Sequence, residues 1–384
     1  MITIKKKSII NCIGVIFAFF NSYSILYHFE LIKIIYITSV VLAFSYIIYE
    51  FSLKIRYMEL FFLFILIFSC TYASPYTTIN KILLLVIPIY ALYLASDRVN
   101  DSFISFFKFI IIAISISYLI FICGKFIDLP TYNIIHDDAR VYYCDIMFSC
   151  LEVNNEWRFS FIFDEPGTLA GLISITISIL WNIMPNTYRY ILLFLGFTTF
   201  SLFFFVYIVI FLSLNYLSKS NIRYFAIVTA FVVLLYLNIK PLVAFIDIEF
   251  ITYFFEKRFV YNDYSIIVGI VDNRTDIDFI SFYNRLDFLD KLFGTRELIF
   301  NIYSHWTGLS YRNYILEVGY LSLLSLSLFY AYYIYSKHGV RLAIVMLLFL
   351  FLYFYQRPLF FRPEMMGLSF LMLSSLKNYK DSNA

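Results

Sequence analysis

Apolar runs separated by short polar or basic punctuation organise almost the whole chain. The predominantly apolar segments are approximately 8–29, 31–53, 57–74, 79–96, 103–127, 167–184, 189–217, 223–243, 313–335, 341–356 and 364–376. Runs near or above about 20 such residues match the roughly 30 Å hydrocarbon core of a bilayer, where a helix satisfies its own backbone. Two longer polar insertions, roughly 128–166 and 244–312, break the pattern. Both keep aromatic and aliphatic residues among their charges, so neither has the composition of a disordered segment.

Basic residues set an orientation. Lys54 and Arg56, Arg98, Arg189, Lys219 and Arg223, Lys337 and Arg341, and Lys377 and Lys380 flank the apolar runs and read as cytoplasmic by the positive-inside rule. Segment 189–217 is basic at both ends. Its middle, Gly196 through Ser201, holds Thr198, Thr199 and Ser201, so two short helices are expected there. Lys5, Lys6 and Lys7 precede an apolar run, but Tyr23 to His28 is bulky where a cleavable signal needs small residues. The expectation is therefore an all-α polytopic membrane protein with about 12 transmembrane helices. Residues 1–384 would form a single domain, with both termini cytoplasmic and two large extracytoplasmic loops at 128–166 and 244–312.

Composition reinforces that expectation. The chain is 62% hydrophobic and 14% charged, with a mean hydropathy of +0.81, against about 45–50% and about 25% in a soluble domain. A net charge of +3 is too small to suggest nucleic acid. The 35 Tyr and 46 Phe read mainly as bulk and interfacial anchors. Cys12, Cys70 and Cys123 fall in apolar runs, whereas Cys144 and Cys150 lie in the first loop, where an oxidising compartment would permit a disulfide. No companion Cys or His gives that pair zinc-like spacing, and no metal or cofactor is expected.

Chemistry is most legible at Arg158-Phe-Ser-Phe-Ile-Phe-Asp164-Glu165-Pro166-Gly167-Thr168, where a loop passes into a helix. Asp164 or Glu165 could serve simply as a helix cap, with Pro166 in the first turn. Arg158 has no such explanation. The expected outer segments also carry Arg140, Arg258, Arg274, Arg285, Arg296, Arg312, Arg357 and Arg362, and guanidinium groups suit diphosphate because they stay charged and bind oxygens in a fork. Asp276-Ile-Asp278 has the form of an Asp-x-Asp metal signature, but three residues of that kind arise often by chance. No phosphate-binding loop, zinc-protease helix, dinucleotide fingerprint or hydrolase elbow is present.

Arg–aromatic–Ser followed by Phe–Asp–Glu–Pro–Gly resembles the O-antigen polymerase family, which is related to the O-antigen ligases. A second stretch, Arg312-Asn313-Tyr314-Ile-Leu-Glu317-Val-Gly319, is similar to the one that ends the second large loop in that family, with Arg312 standing where His is frequent. The resemblance implies a GT-C-like, metal-independent glycosyltransferase of the bacterial cytoplasmic membrane. It would polymerise undecaprenyl-diphosphate-linked oligosaccharide repeat units into O-antigen or capsular polysaccharide. The implied partners are that substrate, membrane lipid and a chain-length regulator protein. Arg158, Arg274, Arg285, Arg312 and Arg357 would bind the diphosphate, and Glu165 and His305 are the implied catalytic candidates for activating the acceptor hydroxyl. A ligase shares this layout. A flippase or transporter of the lipid-linked unit is the alternative from another class, although such proteins place charges within their spans, and here most ionisable residues lie in loops.

Overall fold

The computed structural model describes residues 101–135, 141–145, 150–152, 159–163, 165–216, 259–261, 267–270, 277–294 and 311–356, with isolated helical positions at 31, 34, 35, 38, 65, 365, 368, 369, 372 and 373. Along the chain these form α1 (Asp101–Cys123), β1 (Thr131–Ile135), β2 (Val141–Asp145), β3 (Cys150–Glu152), α2 (Pro166–Leu180), α3 (Asn186–Thr198) and α4 (Leu202–Tyr216). There follow β4 (Phe259–Tyr261), β5 (Ile267–Ile270), α5 (Ile277–Arg285), α6 (Phe288–Phe293), α7 (Tyr311–Val318), α8 (Tyr320–His338) and α9 (Val340–Gln356). The chain divides into two compact units, Met1–Tyr207 with Leu286–Ala384, and Ile208–Arg285.

The first unit is built around α2. All of its residues are buried, and its alternation of small or hydroxylated with aliphatic side chains explains how neighbours approach from every side. A side chain at Gly171 would run into the ring of Tyr353 on α9, and one at Gly196 on α3 into the ring of Phe204 on α4. Ser178 on α2 hydrogen-bonds the Tyr207 hydroxyl of α4, which also donates to the Ser174 carbonyl at 3.2 Å. Phe203 meets Tyr353 at 4.9 Å between ring centroids, and Tyr207 meets Phe349 at 5.6 Å. These pairings run α9 antiparallel to both α2 and α4.

Outside this core, α1 lies beside α3, with Lys108 Nζ 5.9 Å from the Tyr188 ring and Tyr118 5.3 Å from Phe194. Inward positions of α1 recur at helical spacing: Phe107, Ile110, Ile111, Ile114, Ser117 and Phe121 are all buried. The opposite face is apolar too, with Phe109 64% and Leu119 62% exposed. Similar outward stripes run along α3 (Tyr190, Phe194, Phe197), α8 (Leu324, Leu328, Tyr332, Tyr335) and α9 (Val340, Ile344, Phe351, Tyr355). Positive-φ glycines bracket α8. At Gly319 a Cβ would stand 2.5 Å from the Leu292 carbonyl oxygen and 2.6 Å from the Phe293 carbonyl carbon, so the turn between α7 and α8 closes directly on the backbone that ends α6.

Within the first loop, β1, β2 and β3 make an antiparallel meander. Tyr, Val, Ile and Thr dominate β1 and the start of β2, the residue types that suit a pleated surface. The second unit carries the antiparallel pair β4–β5, with an irregularity at Val260/Tyr261, and the amphipathic helix α5, on which Phe279 and Tyr283 share one buried stripe.

Two expectations are corrected here. The fold is not all-α, because both polar insertions contain strands. The twelve-crossing architecture also fails: among the described residues, no helix is long and apolar enough to cross a membrane. The reason lies in length and interruption. α1 carries Asp101 and Lys108 within its first eight residues. The helices α2, α3 and α4 have 15, 13 and 15 residues. Serine and tyrosine punctuate α8, and α9 has 17 residues with Arg341 at its start. The multi-pass placement in a bacterial cytoplasmic membrane, with both termini cytoplasmic, rested on those crossings and falls with them. Segment 189–217 does divide into two short helices, at Thr199–Ser201. The expected segments 8–29, 79–96 and 223–243 lie outside the described residues, as do nearly all positions of 31–53, 57–74 and 364–376.

Candidate functional site

The loop-to-helix stretch singled out in the sequence is anchored deep in one end of the first unit. Phe159, Ser160, Ile162 and Phe163 are buried, and Phe163 N–H donates to the Ser160 carbonyl at 3.1 Å, closing a turn. Phe159 N–H donates to the Thr198 carbonyl at 3.3 Å. Its ring packs on α1, 5.3 Å from Tyr118 and 5.6 Å from Phe121. Phe161 takes a left-handed conformation, φ +56°, and so does Phe200 at φ +45°. Left-handed backbone is unfavourable for a bulky side chain and collects where surrounding structure enforces it. Here both cases flank the Phe159–Thr198 hydrogen bond.

Glu165 follows that turn as the N-cap residue of α2, extended at φ −142° and ψ 143°. Its carbonyl accepts from Thr168 N–H at 3.0 Å, Pro166 occupies the first turn, and its side chain makes no capping hydrogen bond. The local geometry is thus the Pro-initiated helix start expected from the sequence, with no capping hydrogen bond from the Glu165 side chain. Thr199 and Ser201, buried at the α3–α4 turn, belong to the same end, since Thr198 is tied to Phe159.

Arg312 reaches this end by another route. Tyr311 stacks on Tyr355 at 5.5 Å and Tyr314 meets Phe354 at 6.3 Å, so α7 sits at the C-terminal end of α9. Because α9 is antiparallel to α2 and Tyr353 abuts Gly171, the last turn of α9 points the same way as the head of α2. Arg312 is half-buried, with its guanidinium 4.8 Å from the Tyr311 ring centroid. The fold therefore places Glu165 and Arg312, far apart in sequence, toward the same end of one unit.

The opposite end is basic. Arg189 lies 5.4 Å from the Trp181 ring at the α2–α3 turn, Lys108 leans on Tyr188, and Lys337, His338 and Arg341 surround the α8–α9 turn. Of the other candidates, Arg285 is exposed at the C-terminal end of α5, in the second unit. Cations are favourable in the last turn of a helix, which accounts for Arg285 there. Arg158, Arg274, His305 and Arg357 lie outside the described residues. Among the described residues, no group of three or more His, Cys, Asp and Glu side chains could hold a metal ion.

Sequence reading missed the buried hydroxyls between α2, α4 and α9. Tyr207 is buried and its phenol is pushed above the usual tyrosine range by that burial, with the Ser178 hydrogen bond acting in the opposite direction. The signal was present in Ser174 and Ser178, four residues apart on one helical face, but nothing marked Tyr207 as their partner.

No family model, curated protein or solved structure matches this chain. The resemblance to O-antigen polymerases is corrected accordingly. Two short stretches, without agreement along the rest of the chain, do not establish membership. The identification as a membrane glycosyltransferase of lipopolysaccharide biosynthesis has no support from known proteins.

Proposed function

We propose that this protein joins oligosaccharide repeat units carried on a polyisoprenyl diphosphate. What supports this reading is that the head of α2, with Glu165, and α7, with Arg312, lie toward the same end of the first unit. In the reaction, the bond between the donor sugar's anomeric carbon and its phosphate oxygen breaks, and the diphosphate departs with the electron pair. The acceptor hydroxyl oxygen forms the new glycosidic bond and gives up its proton. Glu165 orients that hydroxyl and takes the proton, while Arg312, with Arg158 from the same loop-to-helix stretch as Glu165, stabilises the departing diphosphate. The outward apolar stripes of α1, α3 and α9 supply surfaces against which the carrier's hydrocarbon tail can lie.

The direct test is the surface glycan profile of a deletion strain beside the same strain carrying this gene. A ladder that collapses to a single repeat unit and returns with the gene supports the proposal. Completed polymer retained on the carrier lipid would replace it with ligation. Unpolymerised units trapped inside the cell would replace it with transport of the carrier.

A further inference from the structure

We infer that Cys144 and Cys150 form one cross-strand cystine, and that the β1–β2–β3 meander therefore matures in an oxidising compartment. Three observations converge. Cys144 is disulfide-bonded. It stands directly opposite Cys150 in the antiparallel register of β2 with β3, next to the pair Tyr143 and Leu151. Directly opposed residues in such a ladder have Cα atoms about 4.5–5.5 Å apart, inside the roughly 4.4–6.8 Å that a disulfide spans. Cys123, the other described cysteine outside this meander, is a free thiol.

Formation of the bridge is a two-electron oxidation. The two thiols lose two protons and two electrons to an oxidant that itself carries a disulfide, which leaves as a dithiol after exchange through a mixed disulfide. A reducing cytosol would run this exchange backwards, whereas oxidising compartments keep it closed. Cys144 has no exposed surface, so a reductant must open the meander before it can attack. The bridge closes a short loop between two strands and fixes their register. None of this depends on the proposed activity.

The peptide Val141–Arg158, bounded by Arg140 and Arg158, isolates both cysteines and makes the test direct. Full-length protein is taken from its host with thiols alkylated during lysis, digested with trypsin without reductant, and weighed. The expected peptide carries no alkyl groups and is lighter than its dithiol form by two hydrogens; after reduction it takes up two alkyl groups. Alkylation of both cysteines before reduction would overturn the bridge, as would recovery of Cys144 joined to a different peptide. Host cells lacking their disulfide-donating oxidase should yield the doubly alkylated peptide instead. Persistence of the bridged peptide there would overturn the assignment to an oxidising compartment.

Discussion

The backbone N–H of Phe159 donates to the carbonyl of Thr198 at 3.3 Å, tying the turn that precedes α2 to the end of α3. Two left-handed phenylalanines, Phe161 and Phe200, flank this link, so the site end is held by packing rather than by easy backbone geometry. Phe159 is the anchor. Replacing it with alanine should cost about 3–5 kcal/mol, as for other buried aromatic truncations, read as a fall in the denaturant midpoint. Phe200→Gly should stay within about 1 kcal/mol of the parent, because relief of the left-handed conformation offsets the loss of a half-buried ring. Equal destabilisation by the two changes would contradict this picture.

Gly319 and Gly339 separate two reasons for a positive-φ glycine. Both lie in the left-handed half of conformational space, but only Gly319 has backbone against it, whereas a Cβ on Gly339 meets nothing within 4 Å. Gly339→Ala should cost about 1–3 kcal/mol, from backbone conformation alone. Gly319→Ala adds a clash with Leu292 and Phe293 and should exceed about 3 kcal/mol. Thermal unfolding of the two variants side by side tests the difference, and comparable midpoints would remove the close approach from the account.

Tyr207 makes stability depend on alkaline pH. Burial raises its folded-state pKa above the ordinary value of 10.0, so above that pH the unfolded chain releases a proton that the folded chain keeps. The contribution is fully present below about pH 10 and is lost as pH rises toward the folded-state value, at about 1.4 kcal/mol per unit. Tyr207→Phe should cost about 1 kcal/mol at neutral pH and show a shallower loss of stability above pH 10. Parallel pH profiles for the two proteins would show that the phenol is not held neutral by the fold.

The apolar run 103–127 located α1, the hydroxylated middle of 189–217 located the split into α3 and α4, and Pro166 located the start of α2. Those features follow from local rules, namely a continuous apolar run, a threonine-rich interruption and proline's fixed φ. Membrane crossing was over-read because an apolar run need not form one continuous span: 167–184 and 189–217 yield helices of only 15, 13 and 15 residues. The strands were missed because Thr131–Ile135 and Val141–Asp145 sit among charges that read as loop, and their pairing is a contact no local pattern encodes. At the site, Glu165 was visible from its neighbours. That α7, with Arg312, lies toward the same end was not, since it depends on Gly171 admitting Tyr353 and on Tyr311 stacking over Tyr355.

The most direct test of a shared site for Glu165 and Arg312 is the rate at which purified protein extends polyisoprenyl-diphosphate-linked repeat units. Three variants are compared with the parent: Glu165→Gln, Arg312→Ala, and Lys337→Ala with Arg341→Ala at the opposite end. The first two should each lower the rate by at least about 100-fold, the scale of losing a general base or a charge-stabilising donor. The double variant should extend chains at the parent rate. Unchanged rates for Glu165→Gln and Arg312→Ala, or no polymer from the parent protein itself, would contradict the account.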